Sequence, residues 1–587
     1  MPIKSNLHFS KKIKRENLYK EYYIKKLIII LQNLIWVILL AKFPGKKFLL
    51  LFFIFSLALI CIDNFQFFKK SEYLYTRNNG SFIFLKFLFY IGLYLTNSFS
   101  LFVLLIEPRF KINYVTKTIL FFGVFLNFTL VQINGIGLTI HETLIFFREI
   151  SFFDDAVIQY IKPIIFSLII SSAFLISFVY LKRKFLSEIK PKLFFHLIHL
   201  VIPVSLFVVN WSGGRITEFP SPYKNLYLPA YASTLQLEFY GERKKTVVEP
   251  SEKSEINHLI LIVDESIRGD YLSLNNYEIK TTPFLDSIKN QLVNFGIINA
   301  PANYSSASNV IFQTGIKPDQ LPDVSFESLK TANIFQYAKK AGYKNILIDN
   351  QVFDSYNNFL TQFDIDKIDY YLPLKEMKPE HNDWMLDTAA VNLLDKTISD
   401  CEKSFTYFVK SGSHFPYLLN TAPDCKIPEL SSKESLTDKE EYLISVKWSV
   451  DKFFRHFFGK FSKLEKYLVI YLSDHAQSFK EDGDIVTGHS TVENPPISQI
   501  KIPMFCFTDI PLPEEKLTQI SEEKFSSFSV FPFTLNFMGY NSSDLIENFY
   551  PVQNKTEFER FISGDIFNRG NTFKWNSINS KDTVISN

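Results

Sequence analysis

Two short segments of the chain end in groups able to hold a divalent cation. Leu259-Ile260-Leu261-Ile262-Val263 runs into Asp264-Glu265-Ser266, and Leu468-Val469-Ile470-Tyr471-Leu472 runs into Ser473-Asp474-His475. Each apolar run is too short for a helix of ordinary length. Each stops abruptly at carboxylates or at a carboxylate beside an imidazole, as a buried parallel strand does when it delivers ligands at its C-terminal edge. Glu265, Asp474 and His475 form a hard-to-borderline donor set. It suits Zn²⁺, with Mn²⁺ or Mg²⁺ less suited because of the imidazole. One acid beside a histidine is commonly surface chemistry. Two such strand ends in one domain, with further histidines nearby, point to a metal centre.

These ligands need strands to carry them. From residue 257 to about 545, short apolar runs alternate with helix-like stretches. The pattern predicts strands at 258–264, 345–349, 404–409, 467–472 and 502–507, and helices at 282–292, 332–341, 383–397 and 437–457. Such alternation predicts a mainly parallel sheet covered by helices on both faces, an α/β/α sandwich that collects its ligands at the carboxyl ends of the strands.

The first 210 of the 587 residues are of another kind, crowded with Phe, Leu and Ile; the chain has 62 Phe and 29 Tyr. A formal charge of +3 argues against a nucleic-acid partner. Apolar runs lie at 27–41, 48–63, 82–106, 119–140, 164–181 and 194–210. A helix of on the order of 20 residues spans the hydrocarbon, so the last four runs predict full crossings. The basic tail (Lys11, Lys12, Lys14, Arg15, Lys20, Lys25, Lys26) and the basic loop around Lys182-Arg183-Lys184 belong in the cytoplasm, and the acidic loop 142–162 outside. Five spans satisfy these signs, with 27–41 lying in or dipping into the membrane; six would put a basic segment on the wrong side. The expected organisation is an α-helical transmembrane domain at 1–211, a connecting region at 212–256 with an amphipathic or linker segment at 226–240, the α/β domain at 257–550, and a weakly structured polar tail at 551–587. Of the four cysteines, Cys61 and Cys506 read as buried thiols, while Cys401 and Cys425 flank the loop 411–416 and form a candidate disulfide.

The residues after the first strand extend the pattern. Glu265-Ser266-Ile267-Arg268-Gly269-Asp270 is similar to the E-T-x-R-x-D motif of the alkaline phosphatase/sulfatase superfamily, in particular of the membrane-bound phosphoethanolamine transferases that modify lipid A and other envelope glycans. Thr281-Thr282-Pro283, Gly412-Ser413-His414, Ser473-Asp474-His475, Gly488-His489 and Ile502-Pro503-Met504 resemble that family's later landmarks, in order and at similar spacing from about 257 to 540. The membrane half resembles it in architecture only.

The resemblance implies more than the residues do alone. Asn303–Gly315 resembles the family's nucleophile helix, and matching its hydroxyl spacing to Ser305 and Ser308 implies Ser305 as nucleophile and fourth metal ligand, with Ser306 as the alternative. His414 and His489 are implied to contact phosphoryl oxygens or pass protons, and Glu142 to lie near a lipid headgroup. The implied reaction moves phosphoethanolamine from phosphatidylethanolamine to lipid A or another envelope glycan through a covalent phosphoserine. It would run on the periplasmic face of a bacterial inner membrane, with the protein a monomer. Glycerol-phosphate transfer, or a non-catalytic envelope-binding protein, are the alternatives. The chain departs from the family at several points. Ser replaces the usual Thr nucleophile, Pro301 and Ile311 replace two bridged cysteines, Phe415 replaces the Gly of G-S-H-G-P, and Ala476-Gln477 replace Gly-Glu. The sulfatase signature C/S-x-P-S-R lacks its Pro and Arg here, which argues against sulfate-ester cleavage.

Overall fold

A computed structural model of the chain describes residues 44–63, 81–107, 109–134, 137–140, 142–143, 146, 153–186, 199, 219–235 and, in the C-terminal half, 242–578 apart from 353–355, 378–381, 432, 434, 480–487, 513–526, 550–559 and 570–571. They fall into two compact units, divided at residues 128/129 and 166/167 and again within 211–225. The runs at 27–41 and 194–210 lie outside the described residues, His199 excepted.

The first unit is built from long apolar helices: α1 (Pro44–Ile62), α2 (Ser81–Ile106), α3 (Phe110–Asn134) and α4 (Ile161–Leu186). Within α3 and α4, Lys111–Ile133 and Ile161–Leu186 are long and apolar enough to cross a membrane, while Lys47–Ile62 and Ile91–Ile106 are shorter apolar helices. Phe102 is fully buried where α1, α2 and α4 meet, with its ring 5.3 Å from Phe48, 5.7 Å from Phe55 and 6.0 Å from Phe178. The last turn of α4 carries Arg183 and Lys184. Part of the predicted amphipathic segment forms α5 (Ser221–Leu235), which has Pro229 inside it.

The second unit holds a seven-stranded sheet in the order β2-β7-β6-β1-β5-β3-β4. Its strands are β1 (His258–Asp264), β2 (Val293–Asn299), β3 (Lys344–Asp349), β4 (Tyr370–Pro373), β5 (Ser404–Val409), β6 (Tyr467–Ser473) and β7 (Lys501–Thr508). β7 runs antiparallel to both of its neighbours, β2 and β6, and the other pairings are parallel. The alternation of a strand sends Leu259, Leu261 and Val263 of β1 into one core and Ile260 and Ile262 into the other. The first core is closed by α7 (Ile334–Lys340) and α11 (Val530–Phe537). The second is closed by α8 (Leu386–Ser399), α9 (Asp438–Val446) and α10 (Phe453–Lys460). The predicted α/β/α sandwich with N-terminal apolar helices is the architecture found. The remaining helix of the site, α6, spans Ser305–Thr314.

Four expectations are corrected. The stretch 282–292 makes one α-turn, Pro283–Ser287, then a 3₁₀ turn, because its chain must enter β2 at Val293. The single helix predicted at 437–457 is interrupted by a π-helical segment, Lys447–Lys452, between α9 and α10. Cys401 and Cys425 are free thiols: Cys401 Sγ donates to Thr397 O at the end of α8, and Cys425 Sγ lies 3.9 Å from Ile444 O. The region beyond 550 is not merely a polar tail. β8 (Arg560–Ser563) and β9 (Lys574–Ser577) form an antiparallel hairpin, and Phe561, Ile562, Ile566 and Phe567 are buried.

Candidate active site

Strand register brings the distant motifs together. β1 and β6 are parallel neighbours with Asp264 opposite Ser473, so the next residues, Glu265 and Asp474, leave the sheet side by side. β5 pairs Val409 with Val263 and β3 pairs Asp349 with Val409. The ends of β3, β5, β1 and β6 thus form a row that presents Gln351, the loop 410–414, Glu265 and Asp474-His475. Ser266, directly after Glu265, has φ +63°, a left-handed conformation costly for a non-glycine residue and typical of functional turns. That turn aims the Ser266 N–H at Asp474 Oδ1 (3.3 Å) and its hydroxyl at Glu265 Oε1 (2.6 Å).

Ser305 comes from another direction, at the first position of α6, after Tyr304 in extended conformation. Gly315 (φ +64°) ends that helix, and a side chain there would collide with the Phe531 ring. The Ser305 hydroxyl is half-buried and lies 3.1 Å from Glu265 Oε2 and 3.1 Å from His475 Nε2. His475 Nε2 is 3.2 Å from Glu265 Oε1 and 3.8 Å from Asp474 Oδ2. The structure therefore brings Glu265, Ser305, Asp474 and His475 into one cluster. His489 joins its edge, its ring 4.1 Å from that of His475, and Glu265, His475 and His489 each offer a ligand atom within 4.8 Å of the others. His414 is half-buried with Nδ1 2.6 Å from Phe415 O. Glu142 accepts the Thr139 N–H (3.0 Å).

Burial and close opposite charges set the electrostatics of the cluster. Burial, and then the Glu265 carboxylate, push Asp474 up to about 8. Burial alone would lower His475, but Asp474 and Glu265 outweigh it and hold the imidazole at about 9. Burial opposes ionisation of Glu265, yet the His475 charge draws its carboxyl well below the usual range. Burial and the His475 charge keep His489 neutral, well below the ordinary imidazole value. Asp474 Oδ2 is buried with no hydrogen-bond partner among the described residues. Two carboxylates, an imidazole and a hydroxyl around an unpartnered buried oxygen fit a divalent cation, which would take the place of the proton on His475.

Two amides that the sequence reading did not assign to this role complete the surroundings. Gln351 Nε2 donates to Glu265 Oε2 (3.0 Å) and Lys410 O (3.0 Å). Gln477 stands where the family has a carboxylate. It donates to Tyr417 Oη (2.7 Å) and lies 3.3 Å from His489 Nδ1, so it orients the histidine. The available signal for Gln351 was its place two residues past a predicted strand, in the same row as Glu265.

Residues 257–540 match the sulfatase family, so the C-terminal half carries a sulfatase-family domain. No curated protein matches the chain in sequence. Among solved structures, the chain is similar to the integral membrane protein lipooligosaccharide phosphoethanolamine transferase A (EptA) from Neisseria meningitidis, with 18% identity, 84% of this chain and 96% of that one covered, and a TM-score of 0.54. It also matches the soluble domain of the same transferase (21% identity, 50% and 91% covered, TM-score 0.42). A third match is the C-terminal periplasmic domain of EcEptC from Escherichia coli in complex with Zn (16% identity, 58% and 97% covered, TM-score 0.46). At these identities the likeness is one of fold.

Proposed function

We propose that this chain is a metal-dependent phosphoethanolamine transferase that uses Ser305 as nucleophile. The observation that carries the reading is the position of the Ser305 hydroxyl, 3.1 Å from both Glu265 and His475 at the start of a helix. Glu265, Asp474, His475 and the Ser305 hydroxyl would hold one divalent cation, Zn²⁺ by the character of the donors. When bound, it would lower the pKa of the serine hydroxyl and offset negative charge on the transferring group.

The chain's own residues supply the rest. Ser305 Oγ forms a bond to the phosphorus of phosphatidylethanolamine as the bond from phosphorus to the glycerol oxygen breaks, and diacylglycerol leaves with a proton. An acceptor hydroxyl or phosphate of lipid A or another envelope glycan then forms its bond to phosphorus as the Ser305 bond breaks. The Ser308 N–H is bonded to Tyr304 O, while the N–H groups of Ser305, Ser306 and Ala307 open the helix and would serve the phosphoryl oxygens. His489, neutral and held by Gln477, accepts or returns the proton of the oxygen that enters or leaves, and His414 flanks the same position. Gln477 thus gives the departure from the family a use within the site. The apolar helices would anchor the chain in the inner membrane that carries the lipid donor, with the reaction on its periplasmic side.

Incubation with labelled phosphatidylethanolamine should leave phosphoethanolamine on the peptide containing Ser305. Ser305→Ala should lose that label and at least about three orders of magnitude of transfer rate. A fully active variant would refute the assignment. Competition with phosphatidylglycerol distinguishes the donor.

A further inference from the structure

The row of strand ends contains a buried ion pair that the transfer chemistry does not use. Asp264 ends β1 and Lys410 follows β5; both side chains have no exposed surface, and Lys410 Nζ lies 2.6 Å from Asp264 Oδ2. Tyr471 Oη donates to the same oxygen at 2.8 Å, and Lys410 also donates to Ser449 O. Removing two charges from water costs several kcal/mol per ion, and a packed apolar pair commonly serves stability as well or better. The pair is therefore better explained by what it holds in place than by stability.

It holds the two sides of the site. Asp264 Oδ1 accepts the Glu265 N–H at 2.9 Å. Gly412 (φ +56°) packs directly on this turn: a side chain there would come within 2.5 Å of Asp264 Oδ1 and 2.6 Å of Glu265 O. Ser413 N donates to Glu265 O at 3.1 Å. From the other side, Lys410 Nζ stands 3.8 Å from Asp387 Oδ2, and Asp387 accepts the N–H groups of Ser411 (2.9 Å) and Gly412 (3.2 Å) and the Asn350 amide (2.7 Å). Both Asp264 oxygens are engaged, so this carboxylate stays out of the ligand cluster while fixing the backbone of its neighbour.

We propose that Asp264 and Lys410 are positioning residues that act as one unit. Their ion pair sets the direction of the Glu265 carboxylate and docks the loop 411–414, which bears His414, against it. This rests on the metal-centre reading, and its test separates the two. Zinc affinity of the full-length protein in detergent is measured by competition with a chromophoric chelator, for wild type, Asp264→Asn, Lys410→Met and the double variant. Groups that orient metal ligands are commonly worth 10- to 100-fold in affinity. Each single variant should lose about that much, the double variant should lose no more than the worse single one, and transfer should recover when zinc is raised, which a misfolded protein would not show. Single variants with wild-type zinc affinity, or losses that multiply in the double variant, overturn the proposal. If Lys410→Met does not fold, Tyr471→Phe, which removes one hydrogen bond from Asp264, should weaken zinc severalfold, and unchanged affinity there overturns it equally. A wild type that takes up no zinc overturns the metal centre itself, and the positioning role with it.

Discussion

Asp349, at the end of β3, is buried and accepts the Gln351 N–H at 2.9 Å. Burial pushes its carboxyl from an ordinary 3.8 to about 7. Between those two values the unfolded chain has lost the proton while the folded chain keeps it, so this group's contribution to stability falls as pH rises through the window and is level above it. About three pH units correspond to roughly 4 kcal/mol at full effect. Asp349→Asn removes the titration, so the Tm of the variant minus that of wild type should rise between pH 4.5 and pH 7.5. A difference independent of pH would contradict this. At the same scale, Glu265, Asp474 and His475 could be found from sequence because charged groups directly after apolar runs are conspicuous. Gln351, Gln477 and Lys410 were not assigned their places, because an amide or a lysine has the same appearance whether solvated or buried. Their placement depends on which strand ends become neighbours, and that is decided by tertiary pairing.

Among the elements, the C-terminal hairpin bears most directly on the site. Ile562 pairs with the segment that leads into α6: its N–H donates to Pro301 O (2.9 Å), and its carbonyl accepts the Asn303 N–H (3.2 Å). Tyr304 Oη accepts the Ile566 N–H, and Asn303 O accepts the Ser490 N–H beside His489. The hairpin therefore braces the start of α6, which carries Ser305. Ile562 is fully buried, so Ile562→Ala should cost about 2–5 kcal/mol and lower the melting temperature. A variant as stable as wild type would mean that the hairpin is loosely attached. The central strands β1 and β6 were legible as unbroken apolar runs because both of their faces are covered, and β5 was legible although Thr406 interrupts its apolar residues. β2 was not, because Asn294 and Gly296 interrupt it at a register shift, and β4 is a four-residue edge. The hairpin was hidden by the polar composition around it, since two short strands bury apolar groups only when docked on another element.

The whole molecule combines a half rich in apolar helices with an α/β half that carries the buried polar cluster. The last turn of α4 carries Arg183 and Lys184, and on the proposed reading basic residues at that end would face the cytoplasm. A topology reporter fused after Lys190 should therefore read as cytoplasmic and one fused after Trp211 as external; the reverse would place the site on the wrong face for an envelope acceptor. The central claim is that Glu265, Ser305, Asp474 and His475, drawn from three distant stretches of chain, share one cation. Diffraction recorded at the zinc absorption edge from the purified protein tests it most directly. A single anomalous peak about 2.0–2.3 Å from oxygen or nitrogen atoms of all four residues is the expected result. A peak elsewhere, or none in a preparation that transfers phosphoethanolamine, would contradict it.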